Sequence, residues 1–163
     1  MRLTSKSQYG LLVLAELIRA QRKATTGTRQ YLQVGELAVK CGASPKYLEQ
    51  VLLPLTYAGI LESKRGANGG YRLRMDPETV SLASALNHLE GRLMPMPTWL
   101  DGAQNGNEGR RSTTRLAELI VQVRDSVSTI LEGTSIEVLA EDVAEPIDYT
   151  RSKEAVEALM FYI

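Results

Sequence analysis

The sequence predicts a mainly α fold with one small β-hairpin, and three observations predict it. Apolar residues recur at i, i+3, i+4 and i+7 in several separate segments, among them Leu11 to Ile18, Val34 to Cys41 and Leu48 to Leu55. One glycine-rich stretch, Gly66-Ala-Asn-Gly-Gly70, separates two short extended runs, Ile60 to Arg65 and Tyr71 to Met75. Glycine and asparagine permit positive φ, so this is a hairpin with a loop longer than two residues. An apolar fraction of 44% supports a core without cross-links, and the single cysteine, Cys41, excludes an intrachain disulfide.

The first helix starts near Thr4 or Ser5, either of which can cap it, and runs to about Arg22 on Leu11, Leu14, Ala15 and Ile18. Ala24 to Gln30 is polar and reads as a loop. Val34, Leu37, Ala38 and Cys41 mark a second, two-turn helix that Gly42 ends in a left-handed turn. Ser44 caps a third helix and Pro45 takes its first position, where the missing amide costs nothing. Leu48, Val51, Leu52 and Leu55 form its apolar face, which leaves Lys46, Glu49, Gln50 and Tyr47 for solvent or a ligand. Two short helices across a glycine turn fit a helix-turn-helix, and fit a plain helical hairpin equally well. Pro54 predicts a kink or an early end to the third helix.

Charge separates these readings. Residues 1–75 carry 12 Lys+Arg against 4 Asp+Glu, and residues 76–163 carry 7 against 15. A basic half suits phosphate contact, where counterion release supplies affinity. Lys64, Arg65, Arg72 and Arg74 bracket the glycine loop, which suits a wing laid on a phosphate backbone or into a minor groove. The loop is not a P-loop, because no Gly-Lys-Ser/Thr follows it. With one histidine and no nucleophile elbow or paired metal-ligand motif, an enzyme is not expected. No apolar run is long enough for a membrane span, no signal peptide is expected, and the expected location is the cytoplasm.

A fourth helix is expected from Val80 to Gly91. Residues 92–110, rich in Gly and Pro, read as a loop in which Trp99 and two methionines anchor to the body. Leu116, Ile120, Val123, Val127 and Ile130 then step by 4, 3, 4 and 3, a heptad seam on a helix of about 111–132. Its partner is either the same helix of a second chain or a helix of its own chain. Thr134-Ser-Ile-Glu137 has the capping-box pattern for a last short helix, Ile136 to Val143, and Ala155 to Ile163 reads as a docking segment.

Met1 to Tyr9, Tyr47-Leu-Glu-Gln50, Ala58-Gly59, Ser63-Lys-Arg-Gly66 and Gly69-Gly-Tyr71 resemble the Rrf-type (IscR/NsrR/CymR-like) family of winged helix-turn-helix transcription regulators. The likeness is close over residues 1–91 and holds in pattern over 110–143. It implies a winged helix-turn-helix domain at 1–80 and a dimerisation and sensor region at 81–163. It implies a homodimer on double-stranded DNA at a roughly palindromic operator. Lys46, Tyr47, Glu49 and Gln50 would meet the major groove, and Arg65 the minor groove. Lys64, Arg72, Arg74, Arg2 and Ser44 complete the expected DNA contacts, while Leu116, Ile120, Val123, Val127 and Ile130 join the dimer.

Many members of that group hold an iron–sulfur cluster through three cysteines after the fourth helix. Residues 92–110 contain neither Cys nor His, so a cluster-free member with no metal or other cofactor is expected. Cys41 and His88 are expected to be structural. The signal would then come from a small-molecule effector, a regulatory protein or a redox event elsewhere. The alternative is a protein-interaction module whose acidic half binds a partner enzyme.

Overall fold

The computed structural model describes residues 3–23, 31–66, 68–91 and 111–141, and only the backbone of 111–114. Arg2, the 92–110 loop with Trp99, and the segment 142–163 lie outside the described residues, as does the 24–30 loop.

Helix α1 (Ser5–Lys23) lies at the centre of the fold. It packs on α2 (Val34–Cys41), α3 (Pro45–Tyr57), α4 (Leu82–Glu90) and the last 3-10 helix (Ile136–Ala140). This explains why its buried face is wider than the sequence stripe: Ser7, Gly10, Val13 and Leu17 are buried together with Leu14, Ala15 and Ile18. A stripe serves a helix with one neighbour layer, and α1 has neighbours on several sides. Thr4 does not cap α1 with its side chain; its amide and hydroxyl both donate to Glu90 at the end of α4.

The α2–α3 turn forms as its residues require. Gly42 sits at φ 65°, ψ 35°, and its amide donates to Ala38 O, as does that of Ala43. Ser44 Oγ accepts from Tyr47 N at 3.3 Å. Gln33 and Glu36 close a capping box on α2 that the sequence stripe did not reveal. Pro54 lies within α3 and does not end it, because only Leu55 to Tyr57 follow before the Ala58 cap. The bond it forgoes would go to the Gln50 carbonyl, on the exposed face of α3 where water can satisfy it.

Strands β1 (Leu61–Lys64) and β2 (Gly70–Leu73) pair antiparallel, with Leu61 opposite Leu73, Glu62 opposite Arg72 and Ser63 opposite Tyr71. Leu32 adds a third, one-residue strand, exchanging two 2.9 Å backbone bonds with Tyr71.

The last long helix, α5 (Arg111–Gly133), packs against α4. Its end is stitched to the chain before α4, since Leu82 N donates to Thr134 O at 2.7 Å and Ile136 N to Val80 O at 2.9 Å. The expected capping box at 134–137 does not form. The Thr134 hydroxyl bonds back to Ile130 O, Ser135 makes no side-chain cap, and Glu137 pairs with Arg22. The segment that follows is a 3-10 turn ending at Ala140.

A boundary near residue 80 does not coincide with a break in the core. Ala85, Leu89, Ile136 and Ala140 share one buried cluster with Leu14, Leu37, Leu52 and Leu73.

Candidate nucleic-acid interface

Helix α3 has two faces of opposite character. Leu48, Val51, Leu52 and Leu55 are buried in the core. Lys46, Glu49, Gln50 and Leu53, again at i, i+3, i+4 and i+7, line an open groove of about 790 Å³. Its opposite wall is the hairpin, from Ser63 to Gly66 and from Gly69 to Tyr71. Local signals create this arrangement: Ser44 and Pro45 start α3 where Lys46 lies in its first turn, and Gly69-Gly70 turn the hairpin back beside it.

The expected contact residues fall into distinct places. Lys46, Glu49 and Gln50 share the exposed groove face, and Arg65 stands exposed on the hairpin side of the groove. Tyr47 does not face the groove. Its ring is half-buried and meets Tyr9 edge-on, with centroids 5.4 Å apart. An aromatic in the first turn of α3 is claimed by the aromatic of α1 before any ligand arrives. Ser44 is engaged as the cap of α3.

The four hairpin cations also separate. Arg72 pairs with Glu62 and lies over the Tyr31 ring, its guanidinium carbon 4.5 Å from the centroid. Lys64 stands over the same ring at 5.8 Å. Arg74 lies at the base of the hairpin, away from the tip, where its amide donates to Ile60 O.

Three residues of this interface escaped the sequence reading. Leu53 continues the groove face and is 49% exposed, an apolar surface suited to a thymine methyl. Its helical spacing from Lys46, Glu49 and Gln50 was the available signal. Tyr31 and Glu62 had none, because their partnership depends on the Leu32–Tyr71 bridge. The Tyr31 hydroxyl donates to Glu62. This bond, and then the Arg72 ion pair, hold the Glu62 carboxyl below the usual carboxylate range, and the same bond pushes the Tyr31 phenol up. Tyr71 is raised by burial and, after that, by the charge of Glu49 across the groove.

Cys41 is half-buried on α2. Burial pushes its thiol up, and the charge of Glu16 adds to this. Lys40 pulls the other way and is outweighed, its ammonium being paired with Glu16 at 2.8 Å. Reactive thiols need the opposite setting, exposure and nearby positive charge. Folded protein is therefore expected to react with a thiol-specific disulfide reagent at least about tenfold more slowly than urea-unfolded protein at pH 7.5. Equal rates would show an activated Cys41.

Comparison with known proteins agrees with this architecture. The Rrf2 profile, described as iron-dependent transcriptional regulator, matches residues 3–142. The HTH-type transcriptional regulator CymR of Bacillus subtilis is 31% identical over 163 residues, 100% of both chains. The HTH-type transcriptional regulator IscR of Cereibacter sphaeroides is 31% identical over 121 residues, 72% of this chain and 75% of that one. The solved structure of CymR, the global cysteine regulator of B. subtilis, superposes with a TM-score of 0.68 at 29% identity, covering 86% of this chain and 96% of that one. Staphylococcus aureus CymR superposes at 0.63 and 28% identity, covering 86% and 98%.

The family description names iron, and the sequence supplies few of the donors that an iron–sulfur cluster uses. An iron–sulfur cluster needs several thiolate or imidazole ligands. The sequence holds one Cys and one His, on different helices, with Cys41 half-buried. Among the described residues no group of three or more His, Cys, Asp or Glu is placed to hold a metal. With the Rrf2 profile matched over residues 3–142 and CymR aligned end to end, the chain belongs to the Rrf2 family of transcriptional regulators.

Proposed function

We propose that this regulator acts as a cytoplasmic homodimer that reads a roughly palindromic operator in double-stranded DNA, without catalysis and without an iron–sulfur cluster. The observation that carries the reading is the groove itself, where an exposed helix face of Lys46, Glu49, Gln50 and Leu53 stands beside a glycine-turned hairpin bearing Arg65. A helix N-terminus with polar side chains is the element that enters a major groove. Gln50 can pair adenine through two bonds, and the Glu49 carboxylate can accept from cytosine N4. Arg65 reaches the adjacent minor groove.

The second copy joins through α5. Leu116, Leu119, Val123 and Ile130 are each 44% or more exposed, while Ala117, Val121, Arg124 and Leu131 are half-buried on the neighbouring face. Ile120 and Val127 lie at the border between the two faces and are half-buried. One helix thus carries two faces, a half-buried one for its own chain and an exposed apolar one for a twin. A two-fold dimer would place two α3 helices about 34 Å apart, one turn of DNA.

Selection from a random duplex library, followed by anisotropy titration at several salt concentrations, tests this reading. It should recover a two-fold symmetric site. Arg65→Ala should weaken binding to that site about tenfold and make the salt dependence shallower by about one phosphate equivalent. Unchanged affinity and slope would remove Arg65 from the interface.

A further inference from the structure

The outer face of the hairpin carries a cluster, Tyr31, Glu62 and Arg72, that does not line the groove and that meets it at Lys64. Antiparallel pairing sets Tyr31, Arg72 and Glu62 side by side across three strands. Leu32 bridges Tyr71, so Tyr31 falls beside Arg72, and Arg72 is paired with Glu62. Lys64 follows two residues after Glu62 on the same face. The Tyr31 hydroxyl bonds Glu62, Glu62 bonds Arg72, and both cations lie over the Tyr31 ring.

Fold stability does not explain this cluster well. The side chains of Glu62 and Arg72 are each 31% exposed, and partly exposed ion pairs contribute little. Its clearer effect is on freedom. Lys and Arg carry the largest side-chain entropy, and meeting a phosphate from a disordered state costs that entropy. A ring beneath both cations removes much of it in advance. Arg65, the next residue after Lys64, continues from this face to the tip.

We propose that Tyr31 is a positioning residue for DNA binding: its ring holds Lys64 and Arg72 on the outer face of the wing as a fixed pair that docks on one phosphate strand beside the groove probed by Arg65. Glu62 orients the pair and limits its net charge to one, which favours a single defined phosphate contact over loose attraction. This inference rests on the DNA-binding reading above and adds a second surface to it.

The test compares the wild type with Tyr31→Leu and Tyr31→Phe on the duplex recovered by selection, across a range of salt concentrations. Leucine keeps apolar bulk but removes the π face; phenylalanine keeps the face and loses only the hydroxyl. Tyr31→Leu should bind about tenfold more weakly, with a salt slope shallower by about one phosphate equivalent, roughly 0.9. Tyr31→Phe should stay within about threefold of the wild type and keep its slope. Thermal melts of both variants report whether the fold is intact. A Tyr31→Leu protein that melts like the wild type and keeps the wild-type slope overturns the inference while leaving the DNA-binding reading intact. A lowered melt with unchanged slope shows a purely structural tyrosine and overturns it equally. Wild-type protein that binds no duplex overturns the underlying reading as well.

Discussion

Gly70→Ala is expected to unseat the wing and to remove most of the duplex affinity. Gly70 has φ 146°, where side chains are strained whatever space surrounds them. Space is also lacking, because a Cβ there would lie 2.1 Å from Leu32 O and 2.5 Å from Leu32 C. Both contacts are backbone, so no rotamer change relieves them. The chain can accommodate the methyl only by withdrawing Leu32 from Tyr71. That breaks the two 2.9 Å bonds between them, each contributing about 1 kcal/mol, and leaves strain beside them. A total cost of about 3 kcal/mol is expected, or roughly a 10 °C fall in melting temperature for a chain of this size. Losing the bridge also moves Tyr31 away from Arg72 and shifts the hairpin wall of the groove. Duplex affinity should therefore fall further than stability alone requires, by about a hundredfold. Calorimetry and anisotropy on the same samples check both. A variant that melts within about a degree of the wild type and binds equally would show that the Leu32 bridge does not set the wing.

The same bridge separates what could be read in the sequence from what could not. Gly42, Ser44 and Pro45 act on the residues next to them, and the turn and both helix ends lie where those residues place them. The apolar stripe of α3 named its buried face and, by exclusion, Lys46, Glu49 and Gln50 as exposed. Glycine content and flanking cations located the hairpin. What local pattern leaves open is decided by distant partners. Glu137 fits a capping box by spacing, yet Arg22, 115 positions away, takes its carboxylate. Arg72 looks like one more solvent-facing cation until Leu32 brings Tyr31 beside it. Tyr47 sits at a reading position by motif, and Tyr9 claims its ring. Periodicity says which face of an element is apolar; it does not say which remote residue will occupy a polar atom or a ring edge.

Val123→Asp is expected to convert the protein to a monomer that folds and binds duplex weakly. Val123 is 57% exposed on α5, between Leu119 and Ile130 at 44% and 66%. With Leu116 at 52%, these residues form one stripe at helical spacing, and the half-buried Ile120 and Val127 form its border. A stripe of large apolar side chains left open on one chain marks an interaction surface. In a two-fold pair the same stripe meets itself, so one substitution places a carboxylate on both sides of the contact. Burying either charge without a partner costs several kcal/mol, enough to dissociate an interface of this kind. The intrachain fold should survive, because Ala117, Val121, Arg124 and Leu131 still pack inward and the bonds tying Thr134 and Ile136 to Leu82 and Val80 are untouched. Sedimentation should report half the wild-type mass, with unchanged helical circular dichroism. Affinity for the symmetric site should fall by about a hundred- to a thousandfold, because a second reading helix no longer benefits from the local concentration that the first provides. Affinity for an isolated half-site should change little, which separates lost pairing from a damaged reading head. A Val123→Asp protein that still sediments as a dimer would place the twin contact elsewhere on the chain.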